Sequence, residues 1–184
     1  GEGSPVKVYT KSGDDGTTGL LFGGRVRKDS ALPTAYGSVD EAQASLGVVR
    51  AQLDPADELS DIVVHVMRDL WVLMAELATL PENRRKLEDG STRVTAAMVD
   101  ALEAHIDAVS ERFEPPTEFV VPGVNAVAAQ LDVARTVVRR AERDALAALD
   151  EASQAGIYLN RLSDLLWTLA RWQEGTSTAV RDVV

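Results

Sequence analysis

Three stretches of this chain combine residue types that can hold an anionic ligand. The first runs from Tyr9 to Gly19 and reads YTKSGDDGTTG. Its glycines let backbone N–H groups approach an anion closely, and its hydroxyls and Lys11 add donors, which suits a polyphosphate. A polar surface turn has the same composition. Lys28, beyond the Gly23-Gly24 turn, is a second phosphate candidate or a solvated lysine. The second stretch is Phe119-Val-Val-Pro-Gly123, followed by a helix from Asn125. In that helix Arg135, Arg139 and Glu142 share one polar stripe, with Arg140 and Arg143 on the next face. Guanidinium forks match phosphate geometry, and a seam of small residues beside them would strengthen the pull by desolvation. A solvated, salt-bridged face reads the same way. In the third stretch Asn160, Asp164, Trp167 and Arg171 recur at helical spacing beside a leucine stripe. An asparagine at a helix start is also often only a cap.

These residues need elements to position them, and the apolar periodicity supplies helices. Val39, Ala42, Leu46 and Val49 form one stripe, with Ser38 and Glu41 as a capping box at its start. Leu59, Val63, Val66, Leu70, Leu73 and Leu77 form a second. Met98, Leu102, His105 or Ile106, Val109 and Phe113 form a third. Leu131, Ala134, Val138, Ala141, Ala145 and Ala148 form a fourth, whose small side chains imply close packing. Tyr158, Leu162, Leu165, Leu169 and Trp172 form a fifth. The fold class expected is all-α, a five-helix bundle behind an N-terminal glycine-rich loop. One domain over 1–184 is expected, with a ligand-binding loop region at 1–36, the bundle at 37–174 and a tail at 175–184. Residues 81–94 read as a mobile polar loop.

Composition removes several chemistries. There is no cysteine, so disulfides, iron–sulfur clusters and thiol nucleophiles are out. Two histidines, His65 and His105, are too few for a histidine-rich metal centre, and each reads as a helix-surface or boundary residue. No Glu-x-x-His pair suggests a di-iron bundle, and no P-loop is present. The net charge of −10 argues against sequence-independent nucleic-acid binding. It is uneven: residues 1–36 carry a net +1, and the rest carry −11. No apolar run is long enough to cross a bilayer, so the expectation is a cytoplasmic protein without a membrane partner.

Taken together, the segments TKSGDDGTTGLLFGG, AYGSVDE, the Pro-Gly turn with AAQLDVARTVVRRAER, and YLNRLSDLLW resemble the PduO-type ATP:cob(I)alamin adenosyltransferases. They follow that family's order over roughly residues 6–173. The resemblance implies a homotrimer with sites at subunit interfaces. It implies transfer of the 5′-deoxyadenosyl group of ATP to the cobalt of cobalamin, with Mg²⁺ accompanying ATP. A reductase would supply electrons, and an adenosylcobalamin-dependent mutase would receive the product. By position, Thr10, Lys11, Ser12, Gly13, Thr18, Gly19, Lys28, Arg139, Arg140, Glu142, Arg143 and Asn160 would contact ATP. Asp40 would pair with Arg135 across the subunit boundary, and Phe119 would press on the lower face of the corrin. Asp40, Phe119, Arg135 and Arg139 are thus the expected catalytic set, with no protein metal ligand. The chain departs from the family's pattern at Gln43 for asparagine, Val124 for a second glycine and Asp132 for a common histidine.

Overall fold

The computed structural model describes residues 3–175 and 178–183. A short antiparallel hairpin, β1 (Thr17–Gly19) and β2 (Arg25–Arg27), precedes five helices. These are α1 (Ala31–Ala51), α2 (Glu58–Leu77), α3 (Ala96–Ser110), α4 (Ala126–Leu146) and α5 (Ala155–Glu174). The helices are those the periodicity predicts, and the hairpin is an addition to them. Its two three-residue strands are too short to show an alternating pattern.

α4 lies against both α1 and α5, while α2 packs on α1 and α3 on α5. The small-residue stripe explains this. Ala134, Val138 and Ala141 are fully buried and let the neighbouring helices approach closely. Leu59, Val63, Val66, Leu70, Leu73 and Leu77 all lie in the core, as do Leu162, Leu165 and Leu169. Tyr158 is also fully buried, its hydroxyl donating to Asp69 Oδ2 at 2.8 Å.

Three local expectations change. α1 starts at Ala31 behind Ser30, well before Ser38. Pro33 sits in its first turn, where a missing N–H costs nothing. Ser38 is therefore inside α1, and its hydroxyl donates to Asp144 Oδ2 at 2.6 Å instead of capping. Asn160 is likewise inside α5, which rules out a capping role; Asn125 is the asparagine that caps, accepting from Ala128 N at 2.9 Å. The 81–94 stretch is tied down. Pro81–Lys86 forms a 3₁₀ turn, Arg84 bonds Ala148 O at 2.8 Å and Asp150 at 3.0 Å, and Val94 N donates to the buried Glu76 at 2.8 Å. Of the 175–184 tail, residues 176, 177 and 184 lie outside the described ones. Its 178–180 portion runs antiparallel to the Phe119 segment, with Val121 N on Thr178 O at 2.8 Å and Val180 N on Phe119 O at 2.9 Å. Among the described residues no helix is long and apolar enough to cross a membrane.

Candidate functional site

The N-terminal segment folds back on itself. The Lys28 side chain crosses Gly13 so closely that a Cβ added there would lie 3.0 Å from Lys28 Nζ. Lys28 N also donates to Gly16 O at 2.9 Å, and the Thr10 and Ser12 hydroxyls are 2.8 Å apart. Arg25 latches the turn. Its Nη2 donates to Ser12 O at 3.0 Å and Thr17 O at 3.2 Å, and its Nε to Thr17 Oγ1 at 3.1 Å. The Thr17 hydroxyl, and then its amide, hold the Asp15 carboxyl below its ordinary range. Thr10, Lys11, Ser12, Gly13 and Lys28 are thus gathered in one place, with Thr18 and Gly19 on the adjoining strand. Lys11 adopts φ 63, a left-handed conformation that is costly for a side chain with a Cβ.

The segment is seated at one end of the bundle. Leu21 N donates to Ala78 O at 2.8 Å, and Asn83 Nδ2 to Phe22 O at 3.2 Å. Gly24 has φ +91, and a Cβ there would sit 2.3 Å from Leu80 Cδ1, so this closure requires glycine. The contacts of Arg84 with Ala148 and Asp150, and of Ser153 with Glu76, put the end of α4 and the start of α5 at the same end.

α4 and α5 run antiparallel in one register. Asn160 Nδ2 meets Glu142 Oε1 at 3.4 Å, and at the other end Arg171 Nη2 meets Asp132 Oδ2 at 2.5 Å. Asn160 Oδ1 also accepts from Arg161 at 2.8 Å. Arg161 is in turn held by Glu103 at 2.8 Å, which keeps its guanidinium above its ordinary value. Arg139 and Arg143 are exposed, and among the described residues neither they nor Lys11 and Lys28 has an ion-pair partner. Arg140 differs, since it pairs with Glu41 of α1. Among the described residues, no hydrogen bond or ion pair joins the 10–28 segment to α4 or α5. The two cationic stretches therefore share an end of the bundle without closing on each other within one chain.

At the opposite end of the α4–α5 pair lies an open cavity of about 510 Å³, within the usual range for small-molecule sites. Phe119, Pro122, Arg135, Trp167 and Arg171 line it. Phe119 is 88% exposed there, an unusual position for so large an apolar ring. Its segment is held by the tail on one side and on the other by Asn125, whose Nδ2 donates to Gln173 O at 2.9 Å. Arg135 does not meet Asp40 within the chain. Its Nε pairs with Asp132 Oδ1 at 3.2 Å, and Asp40 is exposed.

Several residues here escape sequence reasoning. Arg25 has no pattern that marks it as a latch. Glu174 has only its position three residues after Arg171, which it accepts from at 2.8 Å. The histidines behave as expected for boundary residues. Their rings are 5.9 Å apart at the α2–α3 contact, away from both ends of the α4–α5 pair. Among the described residues there is no cluster of three acidic or histidine side chains able to cage a cation.

Residues 8–173 match the family described as cobalamin adenosyltransferase. A corrinoid adenosyltransferase of Mycobacterium tuberculosis is 41% identical over 173 residues, covering 90% of this chain and 88% of the relative. One from Citrobacter freundii is 41% identical over 174 residues, covering 92% and 96%. Among solved structures, a phenylalanine-to-histidine variant of the PduO-type ATP:corrinoid adenosyltransferase from Lactobacillus reuteri, complexed with cobalamin and ATP, superposes with a TM-score of 0.83. It is 28% identical and covers 96% of this chain and 97% of that one. An arginine-to-lysine variant of the same enzyme, complexed with ATP, gives a TM-score of 0.82 at 27% identity, covering 95% and 100%.

Proposed function

This chain belongs to the cobalamin adenosyltransferase family, and from that premise we propose that it moves the 5′-deoxyadenosyl group of ATP onto the cobalt of cob(I)alamin or a related corrinoid. The observation that carries the reading is the α4–α5 pair itself. One end presents Arg139 and Arg143, without ion-pair partners among the described residues, on the helix that carries Glu142, and the other opens into a cavity under Phe119 and Trp167.

The chemistry is a displacement at carbon. The Co(I) electron pair forms the cobalt–carbon bond, and the C5′–oxygen bond breaks with its electron pair leaving on the tripolyphosphate oxygen. No protein base is required. Charge grows on the departing chain, where Lys11, Lys28, Arg139 and Arg143 would supply donors that pair with no carboxylate among the described residues. Holding cobalt and C5′ in line supplies a further gain by orientation. Mg²⁺ would bind the phosphates and neutralise them. Phe119 would lie against the lower face of the corrin. A benzyl ring cannot ligate cobalt and excludes water, so it favours a four-coordinate Co(II) that is easier to reduce.

Closure of the 10–28 segment on Arg139 and Asn160 is assigned to a homotrimer, with the segment of one copy meeting α4 and α5 of another. Asp40 would then reach Arg135 of a second copy. This fits an Arg135 that uses only Nε within its own chain.

The test is incubation with ATP, Mg²⁺ and chemically reduced cobalamin. The expected result is an adenosyl–cobalt bond, seen by visible absorbance, with one tripolyphosphate per turnover. Binding without bond formation would make the protein a carrier, and no binding would remove the small-molecule reading.

A further inference from the structure

Asp132 and Arg171, the innermost charges of the cavity wall, have no part in the displacement itself. Asp132 is 3% exposed and Arg171 is 2% exposed. The Asp132 carboxylate serves two guanidiniums from two helices: Oδ1 accepts from Arg135 Nε at 3.2 Å, and Oδ2 from Arg171 Nη2 at 2.5 Å. Both arginines line the cavity that holds Phe119. Arg171 has one further anchor, Glu174 Oε1 at 2.8 Å, and its guanidinium lies 5.5 Å over the Trp167 ring. Its Nε is buried without a partner, so its orientation rests on Nη2 and the ring alone. Arg135 has no other carboxylate among the described residues.

Resting on the adenosyltransferase reading, we propose that Asp132 is a positioning residue that fixes Arg135 and Arg171 along one wall of the cavity and thereby sets how tightly the corrinoid is held. Two features make it the organising member. It alone touches both guanidiniums, whereas Glu174 touches only Arg171. It also takes Arg135 through Nε, which leaves one terminal nitrogen for Asp40 of a second copy and the other for a group arriving at the cavity mouth. A carboxylate can do this because it offers two oxygens with several lone pairs, where a neutral imidazole at the same position offers one acceptor nitrogen. The rim of a corrinoid carries primary amides, and their carbonyl oxygens are acceptors for oriented guanidinium N–H groups. The nucleotide half of the site is not part of this network. Glu142 and Asn160 meet about 15 Å further along the α4–α5 pair, toward its other end.

The test compares Asp132→Asn, Asp132→Glu and Glu174→Gln in the full chain, with steady-state kinetics in ATP and in reduced cobalamin. Asp132→Asn is expected to raise KM for the corrinoid about tenfold while KM for ATP stays within about twofold, the split that marks lost binding to one substrate only. Asp132→Glu keeps the charge but displaces both oxygens, so it should show the same split in smaller measure. Glu174→Gln should lower the melting temperature and leave both KM values unchanged, because the Asp132 bridge survives. An unchanged corrinoid KM in Asp132→Asn, or equal rises in both KM values, would overturn the proposal. Should Asp132→Asn fail to fold, the Asp132→Glu split decides on the same terms. If the wild-type chain forms no cobalt–carbon bond, the functional reading falls. Cobalamin affinity of the same variants by difference absorbance then still decides the role of Asp132.

Discussion

At the end of the α4–α5 pair that holds Asp132 and Arg171, charges are buried and matched, carboxylate to guanidinium. At the end that holds Glu142 and Asn160, Arg139 and Arg143 stand exposed without carboxylate partners among the described residues. The same two helices, in the same register, thus end in opposite electrostatic states. A buried guanidinium without a partner is strongly destabilising, so the cavity end must be neutralised within the chain. A phosphate site works the other way, since cations already paired would have to break those pairs before gripping a polyanion. At the first end the Asp132–Arg171 pair is complete within the chain, whereas at the second the guanidiniums face solvent.

Breaking the open end should cost the most. On the proposed reading, Arg139→Ala removes a donor from where charge grows on the leaving group. Removing one such donor generally costs about 10²–10³ in kcat, and a loss of that order is expected here. The cavity end is untouched, so corrinoid affinity should stay within about twofold. A stopped-flow assay at saturating corrinoid measures the first quantity, and equilibrium titration measures the second. Equal losses in both would mean that the two ends are not separate.

Breaking the built end at its apolar member is the next largest effect. Phe119→Ala should lower turnover about tenfold or more with ATP affinity little changed, because on the proposed reading the ring lies against the corrin and not the nucleotide. Its exposure means that truncation opens no core cavity, so the melting temperature should scarcely move. A large fall in melting temperature, or unchanged turnover, would count against this role.

The join between the two ends can be measured by a cycle. Asp40→Ala, Arg135→Ala and the double variant should show a coupling of about 0.5–3 kcal/mol in activity if the pair forms between copies. Within one chain Arg135 already has Asp132, so strictly additive effects would assign Arg135 to that partner alone.

The two ends were not equally legible. The helices announce themselves because Leu59, Val63, Val66, Leu70, Leu73 and Leu77 repeat at helical spacing, and every one is buried. Lys11, Gly13 and Lys28 were legible as residue types, and the hairpin then brings them together. The cavity end was harder to read. Asp132 stands out only as a departure from the family's pattern. Nothing in its neighbours foretells a contact with Arg171, which lies on another helix far along the chain. A buried charge is set by its partner, and pairing across helices leaves no periodic trace. The start of α1 was misplaced for a different reason. Ser38 and Glu41 have the spacing of a capping box, yet the helix begins seven residues earlier, because a first-turn proline is compatible with a helix and a single interior glycine costs only about 1 kcal/mol.

The smallest expected effect lies outside both ends and sharpens their contrast. Burial, and then His65, push the His105 imidazole below its ordinary 6.5, while Glu58 and Asp69 act in the opposite sense. Across that interval the unfolded chain binds the proton and the native chain does not. Stability is therefore present above pH 6.5 and is lost as pH falls through the lower native value. Asp69 works in the other direction. Burial raises its carboxyl above the ordinary 3.8, so at still lower pH the native state takes up that proton first and recovers part of the loss. Urea midpoints at about pH 7 and about pH 5.5 should differ for the wild type and converge in His105→Gln. Both KM values at neutral pH should be the same in that variant as in the wild type. His105 meets the His65 ring of α2 edge-on at 5.9 Å and does not line the cavity. A shift in either KM would show that the α2–α3 contact feeds into the α4–α5 register, and the two ends would then have to be treated as one coupled site.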